Sequence, residues 1–97
     1  MDQRLYIVTY DISDPKRWRR VFRLVQGYGE WVQLSVFQCR LTRAQHAELI
    51  ALLDQLIHHR EDHVLVLDLG PADRIQPHVV SLGKAGFQPL DRAPIII

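Results

Sequence analysis

Apolar residues recur along the 97-residue chain with two different spacings, and these spacings divide it into strands and helices. Residues 4–12 are β-branched and aromatic with apolar groups on both phases, which is typical of a strand covered on both faces. Asp14 followed by Pro15 predicts a helix start, because the carboxylate accepts from free amides and proline needs no partner there. The helix is expected to end near Gly27. Its apolar stripe consists of Trp18, Val21, Phe22, Val25 and Tyr28.

The second half of the chain supplies three further elements. Residues 31–41 alternate with a period of two, which predicts either one long bent strand or two short strands. Thr42 and Gln45 form a capping box, so a second helix is expected from there to about His59. Residues 63–69 are strongly apolar and predict a further strand.

This order of elements predicts a single α+β domain over residues 1–97, a ferredoxin-like βαββαβ sandwich with helices on one face of the sheet. The isoleucine-rich end of the segment 84–97 is strongly β-prone, which predicts an extra C-terminal strand. A chain of this size buries only about two-thirds of its unfolded surface. A second copy is therefore expected to cover the open face of the sheet, which would make the protein a homodimer.

The alternation also predicts which side chains face the open side of the sheet. If the phase containing Val36 packs under the helices, Ser35 and Phe37 face outward. If the more apolar phase of the first strand packs inward as well, Thr9 and Asp11 face outward too. A two-fold axis through that surface would then place Asp11 near its own copy.

Asp11 is the first candidate for chemistry, because Asp14 already serves as the helix cap. One interpretation is a turn aspartate that makes local backbone hydrogen bonds. The other is a metal carboxylate, since Mg²⁺ prefers a few carboxylate oxygens together with water and phosphate oxygens. Two copies of Asp11 would suffice for such a site, and they would repel each other until a cation or proton lay between them.

The second candidate is a cluster of positive charge. The formal net charge of +1 does not indicate a nucleic-acid-binding protein, but five of the twelve Lys and Arg residues lie within eight positions. They are Lys16, Arg17, Arg19, Arg20 and Arg23. A solvated helix face is one interpretation. Phosphate binding is the other, because Lys16 and Arg17 lie in the first helical turn, close to Asp11.

Other classes of protein lack support in the sequence. Cys39 is the only cysteine, so no intrachain disulfide forms and a reducing cytoplasm is expected, with Cys39 a buried thiol. The apolar runs are far shorter than the roughly 20 residues that span a bilayer, and no signal peptide is evident, so no membrane partner is expected. The HExxH, zinc-finger, glycine-rich phosphate-loop and GxSxG motifs are all missing.

Four segments together carry a likeness to a known family. They are YDISDPKRWRRV, GYGEWVQLSVFQCRLT, EDHVLVLDL and LGKAGFQPLDRAP. At these separations the chain resembles, over essentially its whole length, the CRISPR-associated protein two family. That family is the small spacer-acquisition subunit of CRISPR defence, also known as an endoribonuclease.

The resemblance implies a ferredoxin-like homodimer in which two copies of Asp11 share a Mg²⁺ or Mn²⁺ ion. It implies metal-dependent cleavage of single-stranded RNA or double-stranded DNA, and a role as a bridge between dimers of the Cas-one integrase that hold protospacer DNA. It also implies that residues 93–97 add a strand to the sheet of the other protomer. The nucleic-acid site it implies is lined by Arg17, by Arg19 or Arg20, and by Ser35 and Phe37.

One position departs from the family pattern. Many members have a basic residue where this chain has Trp31, which can stack on a base but does not neutralise a phosphate. Three alternatives to a nuclease of CRISPR adaptation stay open from the residues alone. These are a DNA-bound structural adaptor without catalysis, an mRNA-cleaving toxin-like nuclease and a small-molecule-sensing module.

Overall fold

Two helices and four strands follow one another along residues 2–83, the part of the chain that the computed structural model describes. The elements are β1 (Arg4–Asp11), α1 (Pro15–Gln26), β2 (Glu30–Gln33), β3 (Val36–Leu41), α2 (Arg43–Leu56) and β4 (His63–Pro71). The predicted extra strand and its pairing with another protomer fall in residues 84–97, outside the described residues. None of the helices between residues 2 and 83 is long and apolar enough to cross a membrane.

The sheet has the order β2-β3-β1-β4, and each neighbouring pair is antiparallel. With one helix after β1 and another after β3, this is the predicted ferredoxin-like α+β arrangement. β1 lies in the interior of the sheet, but its last residue, Asp11, pairs with β4 alone, because the β1–β3 register ends at Thr9.

Both helices begin where the sequence predicts. The Asp14 carboxylate accepts from the Arg17 amide at 2.9 Å, and the capping box of Thr42 and Gln45 is formed at 3.2 and 2.9 Å. α2 ends at Leu56, earlier than the predicted end near His59. In the loop that follows, the Asp62 carboxylate accepts a hydrogen bond from the backbone amide of His58 at 2.8 Å.

The core lies between the helices and one face of the sheet. Its fully buried members include Val8, Val21, Val25, Phe37, Cys39, Leu41 and Leu49. Burial raises the pKa of the Cys39 thiol to about 12, so this side chain stays protonated and unreactive at neutral pH. The expectation of a buried thiol is confirmed.

The segment 31–41 forms two strands joined by a turn at Leu34 and Ser35. Leu34 has a φ of 42°, a left-handed conformation that usually selects glycine or asparagine. The indole Nε1 of Trp31 donates to the Leu34 carbonyl at 2.9 Å and holds this turn closed. Because neither Leu34 nor Ser35 is a residue type that favours this conformation, the sequence does not predict the turn.

The burial pattern of β3 shows which way its side chains face. Phe37 pairs with Val8 across the sheet and lies beneath the helices with 0% of its surface exposed. The prediction that Phe37 faces the open side is therefore wrong, and Val36 takes that side instead, opposite Thr9. On β1 the prediction is confirmed, since Val8 is buried under the helices while Asp11 is exposed.

Candidate functional site

One end of the sheet gathers the candidate residues. There the end of β1 meets the start of α1, the β2–β3 turn and the start of β4. The Tyr10 amide donates to the Ser35 carbonyl at 3.1 Å, which fixes the turn beside β1. On the other side Asp11 is the direct register partner of His63.

Asp11 has an exposed carboxylate that is available to a ligand. Its side chain makes no hydrogen bond or ion pair with any other residue from 2 to 83, so the local backbone hydrogen bonds of a turn aspartate are not formed. Asp14, in contrast, is engaged as the helix cap. The predictions that Asp14 caps the helix and that Asp11 is exposed are confirmed.

The donor chemistry at Asp11 fits a hard divalent cation such as Mg²⁺ or Mn²⁺. Within residues 2–83, however, no group of three or more His, Cys, Asp or Glu side chains is close enough to hold a metal ion. One described chain therefore offers only part of a coordination sphere.

Arg17 is not available in the way the sequence suggests. Its guanidinium donates to Asp62 at 2.8 and 3.2 Å and to Glu61 at 3.0 Å, and Asp14 lies 3.9 Å away. The Asp62 side chain is 0% exposed. Hydrogen bonding to Arg17 lowers the pKa of Asp62 and raises that of Arg17. Arg17 therefore ties α1 to the loop before β4, with its charge already matched by carboxylates.

This tie predicts acid sensitivity. Because the folded pKa of Asp62 lies below its ordinary value of 3.8, the ionised side chain stabilises the fold above that value. The contribution is lost as the pH falls through the lower folded pKa. In urea unfolding at pH 7 and pH 3, Asp62→Asn is expected to be less stable than the wild type at pH 7 and to lose less stability on acidification. The exposed Asp73→Asn is the control, and equal acid sensitivity of wild type and Asp62→Asn would contradict the tie.

The remaining basic residues of α1 are presented to solvent. Lys16, Arg19, Arg20 and Arg23 are exposed, and they form no ion pair with any residue in the described range. Their spacing of three, four and seven places them along one side of the helix, away from the buried Val21. The structure thus provides a row of unpaired cations that starts at Lys16, five positions after Asp11 in the chain.

Ser35 is held in place by α1. Its hydroxyl accepts from the Trp18 indole Nε1 at 2.8 Å, which fastens the β2–β3 turn to the first turn of the helix. Trp31 has a structural role as well, because it packs edge-on against Phe22 at 6.4 Å and donates to the turn. Phe37 contacts Phe22 at 5.3 Å inside the core and offers no surface to a ligand.

Sequence reasoning missed two features of this face. Nothing in the sequence distinguishes His63 from the other four histidines, and only the β1–β4 register shows that it lies beside Asp11. The open face is also strongly apolar, since Leu65 and Leu67 are 50% and 45% exposed. Their register partners are Thr9 and Ile7 of β1. Residues 64–67 are all apolar, so the sequence has no alternation that would identify the phase outside the core.

Fold and site together define the class of protein. It is a small ferredoxin-like α+β domain that presents an uncommitted carboxylate and a row of helix cations at one end of its sheet. A family model described as "CRISPR associated protein Cas2" matches residues 4–75.

Named relatives agree with the family match. "CRISPR-associated endoribonuclease Cas2 1" of Rhodospirillum rubrum is 54% identical over 95 residues, covering 98% of this chain and 92% of the relative. "CRISPR-associated endoribonuclease Cas2" of Geobacter sulfurreducens is 50% identical over 95 residues, covering 98% and 99%. The crystal structure of Streptococcus pyogenes Cas2 at pH 6.5 superposes with a TM-score of 0.72 at 36% identity, covering 81% of this chain and 99% of that chain. The chain belongs to the Cas2 family of CRISPR-associated proteins, as its sequence motifs suggest.

Proposed function

We propose that this protein is a CRISPR adaptation subunit that binds nucleic acid as a homodimer and cleaves phosphodiester bonds with Mg²⁺ or Mn²⁺ at a pair of Asp11 residues. The observation that carries the proposal is the exposed, uncommitted Asp11 carboxylate beside the cationic start of α1. The name endoribonuclease, which relatives about half identical to this chain carry, supports nuclease activity.

The homodimer is supported by the open face of the sheet. A sheet of this type requires a cover on any apolar face, and Leu65 and Leu67 expose about half of their surface there. A second copy that docks through the same face is related to the first by a two-fold axis. A two-fold axis that passes close to Asp11, at the end of that face, would bring the two carboxylates toward each other.

The chain's own residues divide the work between binding and chemistry. The two Asp11 carboxylates would hold the divalent ion, which when bound activates water and stabilises charge on phosphorus. Lys16, Arg19 and Arg20 would neutralise the neighbouring phosphates and orient the backbone. Arg17 is left out of this set because its guanidinium is engaged with Asp62, and Phe37 is left out because it is buried.

A second candidate function is a structural adaptor that holds protospacer DNA for the Cas-one integrase without cleaving it. The row from Lys16 to Arg23 favours it, since these cations are unpaired and extend about 10 Å along the helix at 1.5 Å per residue. Such a row follows a phosphate backbone without reading its sequence. No observation favours a toxin-like nuclease or a small-molecule sensor.

The nucleic-acid interface is tested by neutralising the row. The double substitution Arg19→Gln and Arg23→Gln is expected to weaken binding of single-stranded RNA and double-stranded DNA. It should also lower the slope of log affinity against log salt by about one for each phosphate that is no longer neutralised. The matched control is Arg43→Gln with Arg74→Gln, which removes the same charge from exposed positions at the other end of the sheet. Fluorescence anisotropy at several salt concentrations measures both variants.

Equal slopes for the two variants would contradict the assigned surface. Cleavage is followed in the same samples with Mg²⁺ or Mn²⁺ and again after chelation by EDTA. If the protein binds nucleic acid but cleaves it with neither Mg²⁺ nor Mn²⁺, the nuclease function is refuted and the adaptor function remains.

A further inference from the structure

His63 stands directly opposite Asp11 in the pairing of β1 with β4. Residues opposite each other in an antiparallel pair project from the same face, with Cβ atoms about 4.5–5.5 Å apart. Both side chains are exposed, and neither forms a hydrogen bond or ion pair with any residue from 2 to 83. A carboxylate and an imidazole therefore lie side by side at the end of the open face, both free to bind a ligand.

The neighbouring histidines are already engaged, which sets His63 apart. The ring of His58 accepts from the Arg60 amide at 3.3 Å, and the ring of His59 contacts the Asp54 carbonyl at 3.0 Å. His46 stacks on Tyr6 with a centroid distance of 4.4 Å. His63 has no comparable structural task within the described part of the chain.

We propose that His63 is a second protein ligand at the Asp11 metal site, an inference that rests on the homodimer proposed above. Each chain then supplies one carboxylate oxygen and one imidazole nitrogen, so the pair of chains supplies four protein donors. Mn²⁺ binds carboxylate oxygens better than imidazole nitrogens. Imidazole binds Co²⁺, Ni²⁺ and Zn²⁺ well and Mg²⁺ poorly. The site consequently prefers transition-metal ions over Mg²⁺ more strongly than a site of carboxylates alone.

The test measures metal binding without any activity assay. Isothermal titration of the untagged full-length protein with Ni²⁺ and with Mg²⁺ compares the wild type with His63→Ala. The substitution is expected to lower Ni²⁺ affinity by about tenfold or more and to change Mg²⁺ affinity by less than about twofold. The control is His78→Ala, which removes another exposed histidine and should leave both affinities as in the wild type.

Pulsed electron paramagnetic resonance of bound Mn²⁺ adds a direct signature. Nitrogen modulation from a coordinated imidazole is expected in the wild type and in His78→Ala, and it should disappear in His63→Ala. Modulation that persists in His63→Ala, or an unchanged Ni²⁺ affinity, overturns the assignment of His63.

Failure of the underlying site is distinguishable from failure of this inference. If Asp11→Asn abolishes Mg²⁺ binding while His63→Ala leaves the preference for Ni²⁺ unchanged, the Asp11 site stands and the role of His63 is refuted. If Asp11→Asn binds Mg²⁺ and Ni²⁺ as the wild type does, the proposed metal site itself is refuted and the His63 assignment is refuted with it.

Discussion

Replacing Asp11 with asparagine is expected to reduce metal-dependent cleavage by about 100-fold or more, a loss of about 2.7 kcal/mol of transition-state stabilisation. The amide oxygen has nearly the same shape but carries no charge, so it is a poor ligand for Mg²⁺ or Mn²⁺. Folding stability should change little, because the Asp11 side chain has no hydrogen-bond or ion-pair partner among residues 2–83. Initial cleavage rates and urea unfolding curves measure the two effects separately.

Asp14→Asn is the matched control, since it removes the same charge only three positions away. Asparagine caps helices about as well as aspartate, so α1 should keep its start and cleavage should stay near the wild-type rate. A large loss of cleavage in Asp14→Asn with none in Asp11→Asn would contradict the division of roles between these aspartates.

Spacer acquisition in cells, measured with the same two variants, separates the nuclease from the adaptor. If Asp11→Asn loses cleavage but acquires spacers normally, the biological role is that of an adaptor. If it loses both while remaining folded and dimeric, the chemistry at Asp11 is required for adaptation.

The second large effect is expected at Gly29, where β2 approaches β3 closely. A Cβ atom at this position would overlap the Cys39 sulfur, and it would lie 2.5 Å from the Gln38 carbonyl oxygen and 2.9 Å from the Cys39 Cα. Two of these neighbours are backbone atoms that cannot rotate away. Gly29→Ala is therefore expected to destabilise the fold by about 3 kcal/mol, measured as a lower midpoint of urea unfolding.

Gly27→Ala provides the comparison within the same turn. Its added Cβ would meet only the Leu24 carbonyl at 3.4 Å, and the backbone already has a right-handed helical conformation. This substitution is expected to be neutral or stabilising by up to about 1 kcal/mol. If Gly29→Ala and Gly27→Ala were equally stable, that result would contradict the close approach of the chain at Gly29 to β3.

The sequence was sufficient for those parts of the structure that depend on local chemistry. The Asp14 and Thr42 caps, the apolar stripe of α1 and the ferredoxin-like order of elements are all confirmed. Each depends on spacing within a few residues, where propensity and capping act directly.

The sequence was insufficient wherever a long-range partner decides the outcome. Asp62, which neutralises Arg17, is 45 positions away. The prediction for Phe37 is wrong because it takes the buried phase from Val36, whereas the buried residues of β3 are Phe37, Cys39 and Leu41. His63 becomes a candidate only when the register of β4 against β1 is known. Such pairings follow from how the whole sheet assembles.

The central claim is that two copies of Asp11 form one site, and a mixed dimer tests it most directly. Wild-type and Asp11→Asn chains with different affinity tags are co-expressed, and tandem purification isolates the heterodimer. If the two carboxylates act together, the heterodimer is predicted to be about as inactive as the Asp11→Asn homodimer. Recovery of no heterodimer, or a heterodimer with about half of the wild-type cleavage rate, would contradict the shared site.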